Sequence, residues 1–287
     1  MGTGIGRIKG MKKILLPLDG SEASLKAFLP AKSLAELLET TLCILHISEE
    51  NLDQNAFLAK LGIKKEDLSC YIISHKTGDP AKVILKESDQ CDYIVMGTHG
   101  ETCDTSKKAG SVAIKVVENT FKPVLLIKPD VELTCQNGKW IPQKALIPLN
   151  GAPNSAQALL PAMNILVKTT AEIDLLHISC HSVEPPKEEG VFTAPYYEDY
   201  PQHEWNSWSK EFMRRFCPIL HNHNNLNLKL SLSHGNPAEE ILNFAKENKN
   251  DFIAIAWHGT FSHLRASTLK RVLSECTCPI MLIKIMT

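Results

Sequence analysis

Tyr93-Ile94-Val95-Met96-Gly97-Thr98-His99-Gly100, then nine residues, then Gly110-Ser111 and a helical pattern from Val112: the reading of this stretch decides the fold. The four apolar residues read as a strand, and the glycines end it in a loop that opens a helix. Strand, glycine loop and helix start in that order make a cradle for phosphate. The first N–H groups of a helix have no intrahelical partner, and the helix dipole favours negative charge beside them. Glycine at Gly97, Gly100 and Gly110 is expected to let the main chain approach phosphate oxygens and to supply positive φ where the loop turns. Ser111 and Val112 add helix N-terminal N–H groups, and Ser111 a hydroxyl. The pattern points to a bound nucleotide.

Working outward, strands and helices alternate. Residues 14–18 are a short continuous apolar run, suited to a strand covered on both faces. Ser21 is placed to cap a helix whose stripe is Ala23, Ala27, Leu34, Leu37 and Leu38. Residues 41–47 and 69–74 read as the second and third strands, with a short helix at 51–61 between them. Asp79 or Pro80 starts the next helix, and strands at 92–96 and 123–128 flank a helix at 111–119. Such alternation predicts a mainly parallel sheet with right-handed crossovers and helices on both faces. Ligands on such sheets bind beyond the strand C-termini, where the strand order reverses.

Written as G-x2-G-x9-G-S, the glycine spacing resembles the ATP-binding signature of the universal stress protein family. The likeness extends to Lys12-Lys13-Ile14-Leu15-Leu16-Pro17-Leu18-Asp19-Gly20-Ser21, to Leu45-His46-Ile47, to Gly78-Asp79-Pro80 with Ile84, and to Lys122-Pro123-Val124-Leu125-Leu126-Ile127-Lys128. The resemblance implies Rossmann-like domains of the adenine nucleotide alpha-hydrolase-like type, each with a five-stranded, mainly parallel sheet. It also implies site residues: Pro17, Leu18 and Asp19 along the adenine and ribose, Ile47 offering backbone hydrogen bonds, and Met96 packing on the nucleoside. Asp19 is then the acceptor for a purine or ribose donor. The implied ligand is ATP, or ADP or AMP, with Mg2+ shared between Asp19 and the polyphosphate. His99, Lys107 and Lys108 either screen the phosphates or are solvated loop residues.

The chain repeats itself. Lys144-Ala145-Leu146-Ile147-Pro148-Leu149-Asn150-Gly151 repeats the first strand, Leu176-His177-Ile178 the second, Gly235-Asn236-Pro237 with Ile241 the helix start, and Cys278-Pro279-Ile280-Met281-Leu282-Ile283-Lys284 the last strand. The expected domains are residues 11–129, with the intact motif, and 143–287, with a degenerate one. Residues 1–10 are then a disordered leader ahead of Met11, and 130–142 a linker. In the second copy Ala256 stands where Gly97 stood, Ala266 where Gly110 stood, Trp257 for Thr98 and Asn150 for Asp19, so ATP binding there is expected to be weak or absent. That copy also has 26 extra residues before its Gly-x-Pro turn, including Tyr196, Tyr197, Tyr200, Trp205, Trp208 and Phe212. They are read as a Pro-rich loop and a longer helix at about 202–220 packed by its aromatic residues.

With 31 basic and 32 acidic residues the net charge is -1, so the chain lacks the electrostatic footprint of a nucleic-acid binder. No apolar run is long enough to span a membrane and no secretory signal is visible, so a cytoplasmic protein is expected. Nine cysteines in a chain this large are read as reduced, mostly buried thiols. Zinc is not expected: His177, Cys180 and His181 fall short of four ligands, His221 and His223 sit in an Asn-rich turn, and Cys276 with Cys278 lacks a second pair of ligands. No nucleophile elbow, P-loop lysine or acidic pair is visible, so at most weak ATP hydrolysis is expected. Three readings stand: a nucleotide-binding stress or signalling protein with an unknown protein partner, an enzyme of the wider hydrolase-like group, or a tandem scaffold with a vestigial site. By resemblance, 124–128 is expected to pair with 280–284 as an intramolecular pseudo-dimer, leaving a homodimer of chains open.

Overall fold

The computed structural model describes residues 13–49, 53–61, 71–99, 110–149, 159–179, 227–261 and 266–285. Gly100, Lys107, Lys108, Asn150, the leader at 1–10, and the aromatic segment with its expected helix at 202–220 lie outside the described residues.

The first half runs β1 (Lys13–Leu18), α1 (Glu22–Leu25), α2 (Phe28–Leu38), β2 (Thr41–Ile47), α3 (Gln54–Leu61), β3 (Tyr71–Lys76), α4 (Pro80–Ser88), β4 (Tyr93–Gly97), α5 (Ser111–Asn119) and β5 (Val124–Ile127). A hairpin follows, β6 (Cys135–Gln136) and β7 (Lys139–Trp140). The second half comprises β8 (Lys144–Leu149), α6 (Leu159–Leu166), β9 (Glu172–Ser179), β10 (Asn227–His234), α7 (Pro237–Asn248), β11 (Phe252–Trp257), α8 (Ser267–Glu275) and β12 (Ile280–Lys284). All the large-sheet strands form one ten-stranded sheet in the order β10-β9-β8-β11-β12-β5-β4-β1-β2-β3. Each half is parallel throughout, and the two meet antiparallel at Ile280↔Leu126, Met281↔Leu125 and Leu282↔Val124.

Side chains alternate across this sheet, so both faces are buried. On one face Ile14 and Leu16 pack with Leu34 of α2, and Ile147 and Leu149 with Met163 of α6. On the other, Leu15, Ile94 and Met96 pack with Val116 of α5, and Ile253 with Val272 of α8. Each cluster runs unbroken through both halves.

Local sequence explains the elements and two departures from expectation. Ser21 caps α1 by accepting from Ser24 N at 3.2 Å, but the helix breaks at Lys26 before restarting at Phe28. Pro30 lacks an N–H and its ring would strike the carbonyl of Lys26, four residues back, so one continuous helix is not available. The third strand lies two residues later than its expected position. Asp79 and its counterpart Asn236 each cap a helix opened by proline, accepting from Lys82 N at 3.0 Å and from Ala238 N at 3.0 Å.

Residues 130–142 do more than connect. Asn137 (φ 52°) and Gly138 (φ 73°) turn the chain between β6 and β7, and Trp140, 1 % exposed, inserts between the halves. Its N–H donates to Ser33 Oγ at 3.0 Å, its ring meets Phe252 edge-on at 6.2 Å, and Lys139 pairs with Glu36 at 2.7 Å.

A pair of lysines closes the seam reciprocally. Lys128, just beyond β5, donates to Ser274 O at 2.8 Å and Cys276 O at 2.9 Å, the carbonyls ending α8. Lys284, at the end of β12, donates to Glu118 O at the end of α5. Each cation thus satisfies orphan carbonyls at the negative end of the other half's helix. Among the described residues no helix is long and apolar enough to cross a membrane.

Candidate functional site

The cavity starts with a proline. β1 pairs with β2 along its whole length, but with β4 only at Ile14↔Tyr93 and Leu15↔Ile94. Pro17 cannot donate to a ladder, and beyond Leu15 the two strands part. Pro148 stands at the same place in β8, which pairs with β11 only at Ala145 and Leu146. The strands that part are neighbours at the point where the order reverses, which is where α/β sheets bind ligands.

In the first half this opening is a cavity of about 300 Å3. Pro17, Leu18, Asp19, Ile47, Met96, Gly97, Gly110, Ser111 and Val112, nine of the ten residues singled out from sequence, line it, and the tenth, Gly100, lies outside the described residues. Ser24, Pro80, Ile84, Thr98, His99 and Ala113 line it too and were missed as site residues or, for His99, left undecided. A helix and loop that face a strand end bring their own neighbours with them, and this could have flagged Ser24 and Pro80.

Asp19 sits at the exposed rim. Gly20 turns the chain at φ +84°, a left-handed value suited to glycine, and Asp19 Oδ1 accepts from Ser21 N at 3.0 Å and Ser21 Oγ at 2.6 Å. The carboxylate is therefore held in one orientation by its own turn, and carboxylate oxygens accept more than one hydrogen bond. At the start of α4, the Lys82 N–H holds the Asp79 carboxyl below its ordinary range.

The opposite wall is the start of α5. Gly110 N donates to Thr98 O at 2.6 Å, and the first helical bond is Ile114 N to Gly110 O at 3.1 Å. Ser111, Val112 and Ala113 therefore present N–H groups without an intrahelical acceptor to the cavity. Gly110 lies at φ -63°, ψ 154°, and Gly97 is not left-handed either, which corrects the expectation of positive φ at these two glycines. Gly97 is glycine because of crowding: an added Cβ would lie 3.2 Å from Ala23 O and 3.3 Å from both His99 O and Ser24 Cα, all backbone atoms. His99 is buried rather than solvated. Its Nδ1 lies 2.8 Å from Thr98 Oγ1, and its Nε2 has no partner among the described residues.

The second half retains a cavity of about 260 Å3, lined by Pro148, Leu149, Ile178, Ile255, Ala256, Trp257 and Ala266 among others. Its chemistry differs. Ala266, at φ -80° and ψ 1°, starts α8 without the extended geometry of Gly110, and Trp257 puts a buried indole where Thr98 stood. Gly259, the counterpart of Gly100, is left-handed at φ +94°. Among the described residues no group of three or more His, Cys, Asp or Glu could hold a metal. Cys180, His181, His221 and His223 lie outside them.

A sequence profile described as the Universal stress protein family matches residues 10–75, 64–128 and 142–284. The chain is 30 % identical over 139 residues to universal stress protein MJ0531 of Methanocaldococcus jannaschii, covering 41 % of this chain and 82 % of that protein. Its fold is similar to the crystal structure of a universal stress protein from Archaeoglobus fulgidus, with a TM-score of 0.63 and 18 % identity, over 96 % of this chain and 98 % of that one. Half-length structures match as well. One is a family member from Arabidopsis thaliana with AMP bound, at 17 % identity and a TM-score of 0.34, covering 50 % of this chain and 92 % of that one.

Proposed function

We propose that this chain, which belongs to the universal stress protein family, holds an adenine nucleotide in the cavity of its first half and acts as a nucleotide-dependent stress-response or signalling protein. The observation carrying this reading is the convergence of the β1 end, the Asp19 turn and the N-terminus of α5 on one cavity. An apolar slot between Pro17, Leu18, Ile47 and Met96 suits a flat base. Asp19 suits a ribose or purine donor, and the N–H groups of Ser111 and Val112 suit phosphate. Gly97, Gly100 and Gly110 belong to the loop that would face the phosphates. ATP is the preferred ligand, with ADP or AMP using the same slot. Among the described lining residues Asp19 is the carboxylate, so Mg2+ would be held by Asp19 together with the phosphates.

In the second half, Ala256, Ala266 and Trp257 crowd the phosphate end, so a triphosphate is disfavoured there. The two copies are taken as residues 11–129 and 143–287, joined by 130–142, and the nucleotide-bound loop is the surface for a protein partner. Free thiols at Cys43, Cys91, Cys135, Cys276 and Cys278 suit a reducing cytoplasm. Hydrolysis is at most weak, because the described site offers no paired carboxylates to activate water.

The test is calorimetry with ATP, ADP and AMP, and native mass spectrometry of the purified full chain. One nucleotide per chain is expected. Gly110→Val should weaken binding by at least about tenfold, since its backbone conformation is open to valine while its side chain would meet the phosphates. A chain that copurifies with no nucleotide and gives no heat with any of the three would refute the reading and favour a scaffold with a vestigial site.

A further inference from the structure

Cys276 and Cys278 stand one residue apart, just ahead of the last strand of the sheet. β12 begins only at Ile280, so both cysteines lie in the turn after α8, with their Sγ atoms 3.4 Å apart. The turn has a specific polarity. Cys278 N donates to Cys276 Sγ at 3.4 Å, and the Lys128 ammonium donates to the Cys276 carbonyl at 2.9 Å. An N–H bond and a nearby cation both favour a thiolate at Cys276, against the Cys276 thiol's own donation to Cys278 O at 3.3 Å. Consistent with that, the Cys276 thiol is pulled below its ordinary range, first by the hydrogen bond from the Cys278 thiol, while Cys278 is pushed up by the same contact and by burial. The two sulfurs are thus in contact, with the N–H bond and the nearby cation both on the Cys276 side.

We infer that Cys276 and Cys278 form an oxidisable dithiol that reacts with hydroperoxides to give an intramolecular disulfide at the seam between the two halves. In the first step the Cys276 sulfur attacks the peroxide. The O–O bond breaks, the oxygen attacked stays on sulfur as a sulfenic acid, and the other leaves with the thiol proton, as water when the oxidant is hydrogen peroxide. In the second, the Cys278 sulfur attacks the sulfenic sulfur, and the hydroxyl leaves with the Cys278 proton as water. Two thiols and one hydrogen peroxide become one disulfide and two waters. Thr277 between the cysteines is exposed, so the sulfurs lie one residue beneath the surface, and a local opening of this turn gives a small peroxide access. The carbonyl of Cys276 is one of the two that Lys128 holds, so closing the disulfide acts directly on the contact joining β5 to α8.

The experiment treats the full reduced chain with hydrogen peroxide, blocks remaining thiols with iodoacetamide, and analyses the tryptic peptide 272–284, whose only cysteines are these two. The peptide is expected lighter by two hydrogens and unalkylated, with both thiols restored by dithiothreitol. Cys278→Ser is expected to stop the reaction at a Cys276 sulfenic acid that dimedone traps. Recovery of a doubly alkylated peptide would overturn the inference. So would loss of two hydrogens between Cys43 and Cys91 instead, or a Cys278→Ser chain in which dimedone never labels Cys276.

Discussion

Replacing Lys128 with methionine keeps most of the side chain's apolar volume and removes its ammonium. That ammonium donates to Ser274 O at 2.8 Å and Cys276 O at 2.9 Å from a side chain only 10 % exposed. Hydrogen bonds from a charged donor are worth about 1.5–3 kcal/mol each, and a cation at a helix C-terminus adds about 0.3–2 kcal/mol. Against these stands the desolvation of a buried ammonium, several kcal/mol, which methionine avoids. Asp130 lies 3.4 Å from Nζ but is 72 % exposed, so that pair contributes little. The net loss is expected at about 2–3 kcal/mol, roughly 3–5 °C in melting temperature for a chain of this size. Lys284→Met is the internal control. Lys284 makes the reciprocal contact to Glu118 O but is only half-buried, with its Nζ 5.3 Å from the Phe121 ring and 5.7 Å from Trp257, and should lose about 1 kcal/mol. Urea unfolding followed by circular dichroism measures both. A Lys128→Met loss under about 0.5 kcal/mol, or one no larger than that of Lys284→Met, would refute the assignment of the seam to a buried helix-capping cation.

Gly97→Ala should press its methyl on the backbone of α1 at Ala23 O and Ser24 Cα, costing about 1–2 kcal/mol. Because Ser21, which caps α1, also holds Asp19, nucleotide affinity should fall several-fold in calorimetry, and an unchanged melting temperature would contradict the crowding argument. Tyr93 donates its hydroxyl to Pro161 O at 3.0 Å, and burial pushes its pKa from 10.0 up to about 12. An acid whose folded pKa is raised contributes stability that is complete below pH 10 and lost as pH climbs through about 12, here about 2–3 kcal/mol. Melting temperatures across that window should fall more steeply for the native chain than for Tyr93→Phe, and parallel curves would remove Tyr93 from the account.

The repeated strand, the glycine spacing and the alternation of apolar runs were enough to read the strand order class, the duplication and nine residues that share the first cavity. These features are local: periodicity fixes which residues form a strand, and a helix start after a strand must face the strand's end. The hairpin at Cys135–Trp140 was also legible, since Asn137-Gly138 between short segments is a strong turn signal, yet it was read as linker. Other features depended on distant partners. The break in the first helix needed Pro30 weighed against a carbonyl four residues earlier. The crowding at Gly97 comes from α1 lying across the end of β4, which no spacing within the 93–112 stretch encodes.

The chain's own order therefore determined the elements, their duplication and the polarity of the cradle, because hydrogen-bond periodicity and helix ends act over a few residues. Tertiary structure alone decided that Lys128 and Lys284 cap each other's helices across the seam, and that Cys276 and Cys278 face one another in a turn. Those contacts join atoms brought together only when β5 and β12 pair antiparallel, or when the chain turns tightly between α8 and β12, and packing fixes both.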